Sequence, residues 1–216
     1  MAMRRVLVSF AVALLSFAQS PPSVAIGNWF PIHRGDKWTY DHEDRNENGN
    51  GRAHPMIERW RTEQTVTGSW PIAEGTLIET RAQPVGSVPP TVHIQPNPAY
   101  LIRNNCIYES EVAWNPTTHQ LTETFRQGLL AGEYAPDFCF PLTAGKTWGH
   151  EGTKDWKATV LRPGVFLIKS ISYYPGSGQT VEVVFRKGVG ILSQHGLHHG
   201  TYGEQRLQLV KFEPAR

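Results

Sequence analysis

Between Lys37 and Phe212 one local pattern recurs nine times: a short run of β-branched, aromatic or alternating residues, bounded by turn formers such as Gly, Pro, Asn and Asp. Runs of this length and composition make strands, and the residues between them reverse the chain. The runs are Lys37–His42, Ile57–Thr67, Thr76–Ala82, Ile107–Trp114, Trp156–Leu161, Val165–Tyr174, Thr180–Arg186, Gly190–Gln194 and Glu204–Phe212. Such a chain has one economical way to bury its apolar side chains, which is to fold sheet against sheet or to curl a sheet on itself. The expectation is therefore an all-β fold, a single antiparallel β-sandwich or a curved half-open barrel, with little helix. The 16 prolines, 20 glycines and 11% aromatics agree with many turns and a strand-rich core.

Three details refine this. Pro175-Gly176-Ser177-Gly178 reads as a tight reversal between two strands. In Glu204–Phe212 both faces carry apolar residues, so that strand is expected inside the sheet rather than at its edge. Pro84 to Pro98 holds five prolines and reads as an extended surface loop. Helix is confined to one candidate, Thr118–Leu130, where Leu121, Phe125 and Leu129 recur every fourth residue. The same spacing also fits a period of two, so helix and strand both stay open there.

The N-terminus has a different character. Arg4 and Arg5 precede Val6–Ala18, an uncharged apolar run too short for the roughly 20 residues that span a bilayer. A basic start, a short apolar stretch and the small residues of Ser23-Val24-Ala25 have the form of a secretory signal. Residues 1–25 are read as the signal, cleaved after Ala25 with Ala18 as the alternative, and 26–216 as a single β domain. A secreted or periplasmic location follows, with no stable membrane anchor after cleavage. In that compartment Cys106 and Cys139, the only cysteines, are expected to pair. The 21 basic and 19 acidic residues nearly balance and form no basic cluster, which argues against a nucleic-acid partner.

One segment occurs twice. Phe30-Pro31-Ile32-His33-Arg34-Gly35-Asp36-Lys37-Trp38 and Phe140-Pro141-Leu142-Thr143-Ala144-Gly145-Lys146-Thr147-Trp148 share the pattern F-P-[I/L]-x-x-G-x-x-W. Proline fixes the approach, glycine permits a turn, and the tryptophan begins a strand from the core. These segments, with Arg186–Leu192 (RKGVGIL) and the Leu-rich strand after it, resemble a broad group of exported bacterial β-rich and lipoprotein-like proteins, mostly of unassigned function. That group shows F-P-L-x-x-G-x-x-W-x-Y near its start and K-G-V-G-L-V near its end. The chain departs from it at Ile191-Leu192 and in lacking a lipobox cysteine. The resemblance implies export and a β-rich fold, and transfers no catalytic residue.

Two constellations could carry chemistry. Asp44, Asn46, Asn48 and Asn50, with Gly49 at the bend, follow the opening of a calcium loop, where alternate oxygens converge on one ion. Pro55 occupies the place of the closing glutamate, so Glu58 would have to reach in; a polar hairpin tip explains the same residues. The second is Gln194–Glu204, with His195, His198, His199 and Glu204. Imidazoles bind zinc or copper, and a His beside a carboxylate can transfer protons. Adjacent His198 and His199 would face opposite ways on a strand, and His33, His42, His54 or His150 would be needed as a further ligand. A hairpin in which these residues pack and hydrogen-bond is the simpler explanation. Seven tryptophans suggest sugar stacking, yet their places within strands fit core packing better.

The preferred functional reading is a non-enzymatic binding or structural domain of the bacterial envelope, with an unidentified small ligand or envelope protein as partner. It anticipates an apolar groove or exposed patch without a convergent polar cluster. The alternatives are a metal-dependent hydrolase, with His198 or His199 as ligand and Glu204 as base, and a calcium-stabilised module. No cofactor is required by the first; zinc or calcium would serve the others.

Overall fold

The computed structural model describes residues 26–46, 56–109, 112–150, 154–174, 177–198 and 203–216. The signal segment, Asn48, Asn50 and His199 lie outside the described residues, as do Pro175 and Gly176 of the proposed reversal.

The strands follow the sequence pattern closely. They are β1 (Lys37–Asn46), β2 (Met56–Ile72), β3 (Gly75–Pro84), β4 (Ala99–Arg103), β5 (Cys106–Tyr108), β6 (Trp114–Asn115) and β7 (Gln120–Leu121). After helix α1 (Glu123–Ala131) come β8 (Phe138–Cys139), β9 (Thr147–His150), β10 (Lys154–Arg162), β11 (Val165–Tyr174), β12 (Ser177–Arg186), β13 (Gly190–His198) and β14 (Gly203–Glu213). Twelve of them form one sheet in the order β8-β5-β4-β3-β2-β1-β14-β13-β12-β11-β10-β9, every neighbouring pair antiparallel. Of the two architectures expected, the curled, barrel-like sheet is the one adopted. Strand β14 lies between β1 and β13, an interior strand as its two-faced pattern implied.

Some expectations change. Ile107–Trp114 is not one strand: β5 ends at Tyr108 and β6 begins at Trp114. Thr118–Leu130 divides, with Leu121 in β7 and the helix starting after the cap Thr122, whose Oγ1 accepts from the Phe125 amide. Leu121, Phe125 and Leu129 still share one buried cluster, which is why both periods fitted. The weak strand β4 was hidden behind the proline-rich loop, and the two-residue β8 is too short to leave a pattern.

Side chains that alternate toward the inside of the curl form the main core. Phe185 is fully buried and packs against Phe30, Phe138 and Phe140 at centroid distances of 6.3, 5.6 and 5.5 Å. The two F-P-[I/L]-x-x-G-x-x-W segments contribute Phe30 and Phe140 in matching ways. In the first, the Gly35 amide donates to the Val66 carbonyl, Val66 N to Asp36 O, and Asp36 N to His33 O, each at 2.9 Å. In the second, Gly145 N donates to Ala158 O at 2.9 Å, Ala158 N to Lys146 O at 2.9 Å, and Lys146 N to Thr143 O at 3.2 Å. Both glycines have positive φ, 99° and 77°, as the turn requires. Each tryptophan then opens a strand, β1 or β9, that pairs with the strand its turn has docked on. The segments are structurally equivalent, and they relate the meander β1–β5 to the meander β9–β13.

The halves differ after their fifth strands. β13 continues into the long β14, which joins the halves. β5 instead leads into an excursion, residues 109–136, that carries β6, β7 and α1 and builds a second core on Leu77 and Leu101 with Phe125 and Leu129. The Cys106–Cys139 disulfide joins β5 to β8 across a sequence separation of 33 and closes this excursion at its root. At the seam between the outermost strands, Trp148 Nε1 donates to the Asp137 carbonyl at 3.3 Å.

Candidate functional site

The base of the barrel is apolar and filled, and its other end is polar. From Trp38 and Tyr40, which face the core, strand alternation carries His42 and then Asp44 along the same inner face. The register places Asp44 opposite Gln205 and Asn46 opposite Gly203 on β14, while His198 on β13 also pairs with Gly203. Gln179 on β12 faces His198. Asp44, Asn46, Gln179, His198 and Gln205 thus line one cup of about 300 Å³ at the barrel mouth. Sequence reasoning treated Asp44 and Asn46 as one site and His198 as another; the β1–β14 pairing brings them together. Asp44 and Asn46 are strand residues here, not the start of a free loop. Glu58 pairs with Asp44 in register and accepts a hydrogen bond from Thr91 of the proline-rich loop.

Just below the cup, the His42 ring stacks on Trp60 at 4.9 Å and 11°, and its Nε2 is 2.7 Å from Thr62 Oγ1. Burial, partly opposed by the neighbouring Asp41 charge, lowers the His42 pKa from its ordinary 6.5 to about 4.

Glu204 and His195 do meet, but on the outer face. Glu204 is 5% exposed, and its Oε1 lies 2.8 Å from His195 Nε2 and accepts from Arg206 Nε at 2.8 Å and Nη2 at 2.5 Å. The Arg206 hydrogen bonds hold the carboxyl below its usual range, aided by His195 against the cost of burial. Because successive strand residues alternate, Glu204 and His198 look to opposite sides of the sheet. The pairing of His198 with Glu204 imagined from the sequence is replaced by His195 with Glu204. Among the described residues, no group of three His, Cys, Asp or Glu side chains is arranged to hold a metal ion.

Two further hollows lie elsewhere. One, of about 650 Å³, crosses the outer face of β14, β1 and β2. Its charges are matched in pairs: Arg61 grips Asp41 through Nε–Oδ1 at 2.6 Å and Nη2–Oδ2 at 3.0 Å, and Arg59 Nε donates to Glu43 at 2.7 Å. A lipid-spanning barrel turns apolar side chains outward, and this face turns out charges. No helix among the described residues is long and apolar enough to cross a membrane. The other, of about 500 Å³, lies between the tip of the β2–β3 hairpin and the start of α1. Trp70, 38% exposed, forms one wall, although nothing in its local sequence separates it from the core tryptophans. The bulge between Val66 and Gly68 turns it outward: Trp70 pairs with Leu77 of the second core, while its neighbour Ser69 pairs with Ile78 of the barrel core.

Fold and surface together define a class: a barrel-like domain built on one nearly closed antiparallel sheet, with a packed base, a polar mouth and an added, disulfide-closed helical excursion. No protein-family model matches the chain, and no curated protein does. Among solved structures, the chain is similar to a Bacteroides fragilis protein described as exported and of YmcC-like fold. The two share 10% identity at a TM-score of 0.40, over 86% of this chain and 98% of the other.

Proposed function

We propose that the chain is an exported, non-enzymatic binding domain of the bacterial envelope that takes a small polar ligand at the barrel mouth. The observation that carries this reading is the convergence of Asp44, Asn46, Gln179, His198 and Gln205, from four strands, on one cup. Carboxamides offer donors and acceptors together, and a carboxylate and an imidazole add directionality, the mixture that orients a polar small molecule. This differs from the apolar groove anticipated above.

Two features support binding in an oxidising compartment. The Cys106–Cys139 bridge is of the kind that persists outside the cytoplasm. Glu204, the carboxylate proposed as a base, is engaged by Arg206 and held at lowered basicity, which suits an ion pair better than proton abstraction.

Thermal melts of the secreted protein test the reading, with amino acids, dicarboxylates, nucleosides, calcium and zinc as probes. A true ligand at about a hundred times its Kd adds roughly 2.7 kcal/mol, a rise of several degrees. The rise should vanish in Asp44→Asn and in His198→Ala. A flat response to every probe, or a rise that both variants retain, overturns the mouth as the binding site. A rise with calcium or zinc alone, lost in both variants, replaces the small-molecule reading with a metal-binding one.

A further inference from the structure

We infer a second binding site, for a neutral saccharide, in the cleft between the β2–β3 hairpin and helix α1. It is independent of the mouth and lies where the two half-barrels stop resembling each other. The excursion that builds it has no counterpart after β13, so it is an addition to the repeat rather than part of the barrel's closure.

The cleft is organised around His119. Its ring stacks face to face on Trp70, with centroids 3.8 Å apart and planes at 16°, and Trp114 lies 6.1 Å away at 23°. His119 occupies the left-handed region, at φ 53°, in the turn that joins β6 to β7, where its amide donates to the Asn115 carbonyl at 2.9 Å. Glycine or asparagine would fill that backbone position with less strain. The His119 Nδ1 is buried and has no hydrogen-bond partner among the described residues. The tautomer that costs least leaves a bare lone pair on Nδ1 and carries the proton on Nε2, since an unpaired N–H is the worse orphan.

Around this stack the polar groups are of both kinds. Glu123 is already paired with Arg126, through Nε–Oε2 at 2.8 Å and Nη2–Oε1 at 2.7 Å, and accepts a further hydrogen bond from Gln127. Glu74 stands on the hairpin turn, and Gln120 and Thr118 border the other side. An aromatic wall beside mixed donors and acceptors, with Arg126 bonded to Glu123 and also within the field of Glu74, fits a ring that is apolar on its C–H faces and hydroxylated at its edge. A cationic ligand would have to compete with Arg126 for these carboxylates, and an apolar one would leave the polar rim unpaired. The hollow of about 500 Å³ falls in the range of small-molecule sites, about 300–1,000 Å³.

The test is isothermal titration of the secreted protein with neutral oligomers of glucose, galactose, mannose and N-acetylglucosamine, and with choline as the cationic control. At least one saccharide should bind with a Kd near or below about 1 mM. Trp70→Ala should abolish that binding, and Glu74→Gln, a near-isosteric change on the hairpin turn, should weaken it about tenfold. Asp44→Asn in the mouth should leave it unchanged, so failure here and failure of the mouth reading are separable. Binding of choline alone, no binding of any saccharide, or saccharide binding indifferent to both cleft variants overturns the inference.

Discussion

Opening the Cys106–Cys139 bridge should cost the protein about 3.7 kcal/mol. The bond closes a loop with a sequence separation of 33. For a loop of that length the chain-entropy relation gives about 12.5 cal/mol/K of unfolded-state entropy lost on cross-linking, or about 3.7 kcal/mol at 25 °C. The loop contains the whole excursion, including α1 and its core residues Phe125 and Leu129. Reduction therefore frees that segment in the unfolded ensemble while leaving the main-barrel contacts of the folded state in place. The assay is urea denaturation of wild type and of the Cys106→Ala/Cys139→Ala protein, read by tryptophan fluorescence. The midpoint should fall by the equivalent of about 3–4 kcal/mol, and the melting temperature by roughly 7–15 °C for a domain of this size. A loss below about 1 kcal/mol would refute the reasoning, because it would mean that the unfolded chain does not gain the freedom that the loop length implies. A loss confined to α1, with the barrel transition unmoved, would refute the cooperative docking of the excursion on β3 and β4.

Two further outcomes are expected. His42 is held neutral in the folded state, so the unfolded chain takes up a proton that the native one refuses as pH falls from 6.5 toward 4. Its contribution is complete above about pH 6.5 and is lost across that window; the full shift corresponds to about 3 kcal/mol, and partial exposure reduces this to ~1–2 kcal/mol. The stability difference between wild type and His42→Gln, followed by urea midpoints from pH 7 to 4, should therefore shift in favour of the variant, and parallel curves would contradict the assignment. Asp36, 2% exposed, accepts from the His33 amide at 2.7 Å and from the Ala215 amide at 2.8 Å, tying the C-terminus to the first turn segment. Asp36→Ala should cost about 2–3 kcal/mol and speed hydrogen exchange at Ala215, whereas Lys146→Ala, at the equivalent half-buried position, where Nζ makes a single hydrogen bond to the Pro141 carbonyl at 2.9 Å, should change stability by less than about 1 kcal/mol.

The all-β class, most strand positions and the turn segments were legible in the sequence because each rests on local physics. Alternation marks a face, and Gly35 and Gly145 mark turns that only a positive φ completes. The repeated F-P-[I/L]-x-x-G-x-x-W was visible as letters, and its hydrogen bonds confirm one geometry used twice. The cysteine pair was also foreseen, on compartment grounds. What the sequence could not show was register and side. Asp44 and His198 are 154 positions apart, and only the β1–β14–β13 pairing puts them at one mouth. His195 and His198 differ by an odd step, so one meets Glu204 outside while the other faces the cup, and that assignment needs the strand to run through His198 rather than stop at Gln194. Trp70 resembles the core tryptophans in every local respect. It lies outside because a bulge between Val66 and Gly68 inserts one extra residue and reverses the alternation of β2, so that Ser69 pairs with the core residue Ile78 and Trp70 with Leu77 of the second cluster; where a strand bulges is decided by its pairing in the assembled sheet, not by either strand alone.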